Sequence, residues 1–315
     1  MDMKRREFLA KSIVGMGGVL LGSGCQDFAR KKSSKHSPYE VVTLGKTKIK
    51  TSRVGLGTGM RGGNRQSTHS RMGTEKFNAL AMGCYERGIR FFDMADLYGT
   101  HPFLAEATKN MRREDYIIAS KIWFRSGGLP EPERPSPDIV VERFLKELKT
   151  DYLDLILFHC VVSERWPEEL SDQMNIVEKL KKRGLVRAHG VSSHTLVGIT
   201  RCIDEPWVET VHARINPYAA SMDVETIEEV PKVAKVLKAI RKKGKAVIGM
   251  KIVGEGKFGN DPEKLDNSIQ YALESGCTDA MVVGFEKVEE VDDFAMRARK
   301  VTVGQGVSNI TSMVA

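Results

Sequence analysis

Along residues 39–300 the chain repeats one pattern: a short apolar run, a break, then a longer stretch whose apolar residues recur every three or four positions. The short runs predict strands at 53–57, 89–93, 116–120, 153–159, 186–192, 210–215, 246–250 and 280–284. The longer stretches predict helices at 74–87, 137–149, 171–183, 231–243, 262–275 and 288–300. Their ends carry helix signals, with Ser136-Pro137 and Asp261-Pro262 at starts and Arg183-Gly184 and Lys243-Gly244 at stops. Eight strand–helix units in succession imply an α/β fold, a (β/α)8 barrel of the TIM type, in one domain. Ahead of them, residues 39–52 alternate and turn at Leu44-Gly45-Lys46, which predicts an N-terminal β-hairpin. Residues 129–137 (LPEPERPSP) read as a Pro-rich loop.

The first 38 residues break the pattern. Lys4-Arg5-Arg6-Glu7-Phe8-Leu9-Ala10-Lys11 is a twin-arginine pattern, and the apolar run 12–24 behind it is short and rich in glycine. Residues 1–25 therefore read as a Tat-type signal peptide, too short and too glycine-rich for a membrane span. The expected partner is the Tat export machinery, and the expected destination is periplasmic or membrane-anchored. Leu21-Gly22-Ser23-Gly24-Cys25 resembles a lipoprotein signal box, with Gly22 where leucine is usual, so Cys25 is a candidate lipid anchor. Residues 26–38, basic and serine-rich, read as a linker, and 39–315 as the barrel.

Charge changes the picture little. The net charge is +8, but residues 1–38 hold eight Lys or Arg against three acids, which leaves +3 for the barrel. That is too little for a nucleic-acid footprint. The cysteines Cys25, Cys84, Cys160, Cys202 and Cys277 show no CxxC pair and no spacing for zinc or iron–sulfur, so neither a metal site nor a disulfide framework is expected. Cys160 follows His159 toward the presumed pocket, where a small apolar filler is the ordinary role.

The chemistry gathers at strand ends. Asp93 closes the second predicted strand and Tyr98 follows on its loop; Lys121 closes the third and His159 the fourth. In a parallel barrel these ends face one pocket. A Lys beside a Tyr favours the phenolate, and a carboxylate keeps that Lys charged and in place. Singly, Asp93 would read as a helix cap, Tyr98 as a loop anchor, Lys121 as a surface charge and His159 as a core histidine. Four at successive strand ends read as a catalytic set.

FFDMADLYG, ASKIW and LILFH, in this order, resemble the aldo-keto reductases, whose tetrad is Asp, Tyr, Lys and His. The resemblance implies that Asp93, Tyr98, Lys121 and His159 are catalytic and that the hairpin plugs the barrel bottom. It also implies a nicotinamide cofactor, although no GxGxxG follows the first strand and a Rossmann domain is excluded. By the same resemblance Ser192, Ser193 and His212 hold the carboxamide, Ser193 and His212 standing where the family has Asn and Gln. Gly57 and Thr58 would lie beneath the nicotinamide, and Gly59, where the family often has an aromatic, implies an open substrate mouth. Met250 and Lys251 stand where relatives stack an aromatic and place a Ser. Lys287 would approach the adenosine phosphate, but Glu290 takes the place of a phosphate-binding Arg, which leaves NADP(H) and NAD(H) both open. Trp123 reads either as a substrate-pocket wall or as a core aromatic.

The expected function is therefore NAD(P)H-dependent interconversion of a carbonyl (aldehyde, ketone or sugar) and an alcohol, with Tyr98 as proton donor and Lys121 lowering its pKa. Two alternatives stand beside it: a non-catalytic barrel that binds cofactor or a partner, and a sugar or polyol dehydrogenase working on tightly bound cofactor.

Overall fold

A computed structural model describes residues 37–301. The signal peptide and Cys25, and all but two residues of the linker, lie outside the described residues.

Strands β1 (Val41–Thr43) and β2 (Lys50–Ser52) pair antiparallel as the hairpin. The barrel follows: β3 (Val54–Gly57), β4 (Phe91–Asp93), β5 (Ile117–Ile122), β6 (Leu153–Val161), β7 (Val186–Ser193), β8 (Thr210–Arg214), β9 (Ala246–Met250) and β10 (Ala280–Val283). These eight pair in parallel and close through β10 on β3. The helices are α1 (Thr68–Arg71), α2 (Thr74–Glu86), α3 (His101–Ala107), α4 (Pro137–Leu148), α5 (Trp166–Glu169), α6 (Ser171–Lys182), α7 (Leu196–Arg201), α8 (Val230–Lys242), α9 (Pro262–Glu274) and α10 (Val288–Lys300). The expected (β/α)8 barrel with its N-terminal hairpin is the fold observed.

Local chemistry accounts for the ends. Pro137 opens α4 with the fixed φ of a first-turn proline, and the α9 cap Asp261 accepts the Lys264 N–H at 3.0 Å. At the second barrel strand the sequence places the start at Ile89, but the Ile89 N–H donates to Cys84 O at 3.0 Å, so this residue still closes α2. Helices α1, α3, α5 and α7 are no longer than seven residues, too short to show a periodicity.

Two cores divide the work. Large residues such as Phe77, Phe92, Phe144 and Phe158 fill the layer between strands and helices. The barrel interior is filled by Phe91, Ile117, Ala119, Leu155, Ala188, Ile248 and Val282, and the hairpin supplies Leu44 and Ile49, both buried, to the same cluster. The hairpin turn is tied on by Lys46 N–H donating to Gly244 O at 2.8 Å. Each large apolar side chain so buried contributes about 1.5–3 kcal/mol. The polar site continues this interior series: alternation along a strand puts Asp93 two residues beyond Phe91, Lys121 two beyond Ala119, and His159 four beyond Leu155.

Strand β6 runs past His159, with a register shift against β7 between His159 and Val161. Cys160, at φ 70°, is the extra residue of this irregularity. Among the described residues Cys84, Cys160, Cys202 and Cys277 are free thiols, and no helix is long and apolar enough to cross a membrane.

Candidate active site

The end of β4 is held from below. Thr58 donates both its N–H, at 3.1 Å, and its hydroxyl, at 2.9 Å, to the Asp93 carbonyl. The Asp93 carboxylate accepts from Lys121 Nζ at 2.5 Å and from His212 Nε2 at 3.1 Å, and Lys121 donates a second bond to Met94 O at 2.9 Å. All three side chains are almost wholly buried. Burial pushes the Asp93 carboxyl up, but Lys121 and His212 outweigh it and hold the group below its ordinary range. Burial lowers Lys121 while Asp93 pulls against the shift, and the result is a buried ion pair.

Tyr98 is delivered by a single 3-10 turn, Asp96–Tyr98. Buried Asp96 anchors it, accepting from Arg65 Nε at 2.9 Å and Arg143 Nη2 at 2.7 Å. Gly99 ends the turn at φ 64°, where a Cβ would lie 1.8 Å from Arg65 O, so only glycine fits. The Tyr98 ring lies on bare backbone: a Cβ on Gly59 would fall 2.2 Å from its Cζ, and one on Gly62 2.7 Å from its Cδ1. Gly59 lines the cavity, and the ring of Tyr98 fills the space where its side chain would stand.

The Tyr98 hydroxyl is 3.4 Å from His159 Nε2, the two rings meet edge to face at 5.6 Å, and Lys121 Nζ stands 5.2 Å from the phenol ring centroid. Burial, then Asp93 and Cys160, raise the Tyr98 pKa well above its ordinary value. That is opposite to the effect expected of Lys121. The charge of Lys121 is matched by Asp93 at 2.5 Å, so the phenol meets an ion pair and burial decides the shift. Burial, with Lys121 and His194 next, drives His159 well below its ordinary pKa, so it is a neutral imidazole. Trp123 stands beside it, its ring 5.5 Å from that of His159 and its indole N–H donating to Gly127 O at 2.7 Å.

A cavity of about 410 Å³ leads from Asp93 and Tyr98 along Gly57, Met250, Lys251 and Gly284 to Glu286, Glu290 and Asp293 at the start of α10. Its volume lies in the range of small-molecule sites. A Cβ on Gly57 would meet nothing closer than 3.6 Å, so packing does not demand this glycine and its bareness leaves the groove floor open. Of the residues expected to hold a dinucleotide, Gly57, Met250 and Lys251 line this groove, together with Gly284.

The other expected cofactor residues fall elsewhere. Thr58 is fully buried with its hydroxyl committed to β4. His212 turns its Nε2 to Asp93 and belongs beneath the tetrad. The Ser193 hydroxyl donates to Thr195 O at 3.2 Å and Val161 O at 3.4 Å, closing the chain as it leaves β7. Buried Ser192 sits in register with His159 and His212, its hydroxyl 3.4 Å from His194 Nε2. Lys287 is exposed as the cap of α10 and does not line the groove.

Residues not singled out in the sequence complete the mouth. His194 Nδ1 lies 2.7 Å from Arg214 Nη2 and 3.1 Å from Cys160 Sγ, and Arg125 Nη1 donates to Cys160 O at 3.3 Å. His194 and Arg214 stand two residues past Ser192 and His212, so strand alternation was the signal that could have found them. Among the described residues no cluster of His, Cys, Asp and Glu is arranged to hold a metal ion.

Residues 53–305 match the family model described as "Aldo/keto reductase family". A Bacillus subtilis protein named uncharacterized oxidoreductase YqkF is 32% identical over 160 residues, 48% of this chain and 47% of that protein. Methylglyoxal reductase DkgA of Escherichia coli O157:H7 is 27% identical over 203 residues, 61% of this chain and 68% of that one. The matched segments thus span roughly half to two thirds of these relatives. An aldo-keto reductase of Bacillus halodurans, solved in its holo form, superposes with a TM-score of 0.65 at 18% identity, covering 87% of this chain and 99% of that one.

Replacing Asp93 by Asn should strand the buried Lys121 ammonium and destabilise the fold by about 3–5 kcal/mol. The Asp93→Asn, Lys121→Met double variant should recover part of that loss. Urea midpoints check this, and a double variant less stable than the single one contradicts the ion-pair assignment.

Proposed function

The chain belongs to the aldo/keto reductase family of NAD(P)-dependent oxidoreductases, and on that premise we propose that it reduces a small carbonyl compound with Tyr98 as the proton donor. The observation that carries this reading is the contact of a protonated phenol with a neutral imidazole, 3.4 Å apart, over the Asp93–Lys121 pair. A bound dinucleotide supplies the hydride. Tyr98 gives its proton to the carbonyl oxygen, and the phenolate so formed is met by the adjacent Lys121 ammonium. His159, neutral, orients the carbonyl by a hydrogen bond, and Trp123 walls the far side of that imidazole.

The adenosine end of the groove bears on cofactor choice. Glu290 accepts the Glu286 N–H at 2.8 Å, so a carboxylate of the chain already occupies the backbone donor at the start of α10. Glu286 and Asp293 line the same end. A 2′-phosphate would meet carboxylates there, and the enzyme is expected to use NADH at least as well as NADPH.

For the N-terminal segment, which lies outside the described residues, we propose Tat-dependent export, supported by Arg5-Arg6 ahead of Phe8-Leu9 and a weakly apolar run. A barrel that folds around its dinucleotide before crossing a membrane would carry its own cofactor to a compartment where free dinucleotide is scarce.

Tyr98→Phe should lower carbonyl reduction by about 10²–10⁴-fold or more while leaving cofactor affinity nearly unchanged. Because the Tyr98 pKa is raised, its proton is present throughout neutral pH, and the wild-type rate should fall only on an alkaline limb above the ordinary tyrosine value of 10.0. Steady-state kinetics and cofactor titration decide both points, and substantial turnover in the variant would remove Tyr98 from the role.

Glu290→Arg should shift preference toward NADPH by adding a charge-assisted phosphate contact. A wild-type enzyme that already prefers NADPH strongly contradicts this account of the groove.

The Arg5→Lys, Arg6→Lys variant should stay in the cytoplasm, active and uncleaved. Fractionation that finds it exported, or finds wild type cytoplasmic with its N-terminus intact, refutes the Tat signal.

A further inference from the structure

A second cluster, of His194, Arg214 and Arg125, stands beside His159 and is built from residues that do not line the groove. Strand alternation lifts His194 one layer above Ser192 and Arg214 one layer above His212. His194 packs edge to face on His159 at 6.0 Å, and the Arg214 guanidinium donates to His194 Nδ1 at 2.7 Å. A guanidinium has no lone pair to offer, so Nδ1 must be the acceptor and His194 a neutral imidazole carrying its proton on Nε2. Burial, and after it Arg214, Lys251, Lys121 and Arg125, hold His194 down at about 3, as a ring set among cations should be. Arg214 is therefore one imidazole removed from the ring that faces the Tyr98 hydroxyl.

The positive charge here is incompletely answered. Lys121 is matched by Asp93 and Lys251 by Glu255. Arg214 faces Asp223 across 3.3 Å, but neither Asp223 oxygen and not the Arg214 Nε makes a hydrogen bond among the described residues, though all three atoms are buried. Burial, opposed by Arg214, raises Asp223 to about 6, so it is a weakly held counter-ion. Arg125 is half-buried on the Cys160 carbonyl, and no carboxylate among the described residues pairs with it. An anion takes nothing from Asp223, so what the cluster offers a ligand is donors: the Arg214 guanidinium beyond its His194 and Asp223 contacts, and the Arg125 guanidinium beyond the Cys160 carbonyl. A pocket for a plain aldehyde would not gather guanidinium groups, which favour carboxylates and phosphates by their fork of parallel donors.

We propose that Arg214 and Arg125 form an anion subsite beside His159, and that the preferred substrate is a carbonyl compound bearing its own carboxylate or phosphate. The inference rests on the reductase reading above and names the substrate class for it. Arg214 and Arg125 set specificity: they hold the anionic end so that the carbonyl end meets His159 and Tyr98.

The test compares matched substrates on the full chain with bound dinucleotide: succinic semialdehyde against butanal, and glyceraldehyde 3-phosphate against glyceraldehyde. Wild type should favour the anionic member of at least one pair by about tenfold or more in kcat/KM, and the pair that responds distinguishes carboxylate from phosphate. Rising salt should shrink the preference. Arg125→Met should reduce the preference ratio about tenfold or more. Because Arg214→Met alone strands Asp223, the Arg214→Met, Asp223→Leu pair serves as the second variant and should do the same. A wild-type ratio near one in both pairs, or a ratio unmoved by both variants, overturns the subsite. Calorimetric titration with succinate and with inorganic phosphate separates the two readings. Anion binding that is lost in Arg125→Met without turnover of any carbonyl keeps the subsite and removes the reductase reading. Turnover of neutral aldehydes without anion binding does the reverse.

Discussion

A lysine and an aspartate buried side by side at the top of a barrel are the constraint on which the rest of this site depends. Removing either charge from water costs several kcal/mol, and the pair is tolerable only in close contact with its remaining valences filled. The structure fills them. Lys121 gives its second hydrogen bond to Met94 O, Asp93 takes His212 as well as Lys121, and Thr58 fixes the backbone that carries Asp93. Burial, helped by Asp93 at the phenol and by Lys121 at the imidazole, keeps the proton on Tyr98 and leaves His159 uncharged beside the pair. What looks like a set of four catalytic groups is physically one ion pair with two uncharged groups leaning on it.

The phenol is positioned by subtraction as much as by contact. Its ring occupies volume that any side chain at Gly59 or Gly62 would claim, and the turn carrying it closes only because Gly99 lacks a Cβ against Arg65 O. The same turn is locked at its other end by two arginines on Asp96. A rigid loop matters here, since a misplacement of about 1 Å at a proton donor costs roughly a hundredfold in rate. The buried network around Asp96 thus belongs to the chemistry, though none of its members touches the pocket.

The mouth is electrostatically two-sided. Toward α10 the groove ends among Glu286, Glu290 and Asp293; beside His159 stand Arg214, Arg125 and the neutral His194. The acidic end underlies the proposed use of NADH, and the basic cluster underlies the proposed anionic substrate. His159 lies in register with Ser192, and Ser192 with His212.

The barrel and the identity of the four strand-end residues were determined by the sequence alone. Periodicity two in the strands and near 3.6 in the helices is a local property, and strand ends in a parallel barrel share one face whatever the loops do. The predicted helix at 288–300 coincides with α10, and the strand at 246–250 with β9. What each polar group does there was decided by tertiary structure. His212 and Thr58 could as well have faced a cofactor; the burial of Asp93 drew one to its carboxylate and the other to its carbonyl. Gly59 reads as empty space until the ring of Tyr98, contributed by a segment nearly forty residues away, is seen to fill it. The direction of the Tyr98 shift was likewise beyond the sequence, because burial sets it and prevails only where Lys121 is half of a pair and not a lone charge. A pairing distance of 2.5 Å settles that, and distances between strands exist only once the barrel has closed.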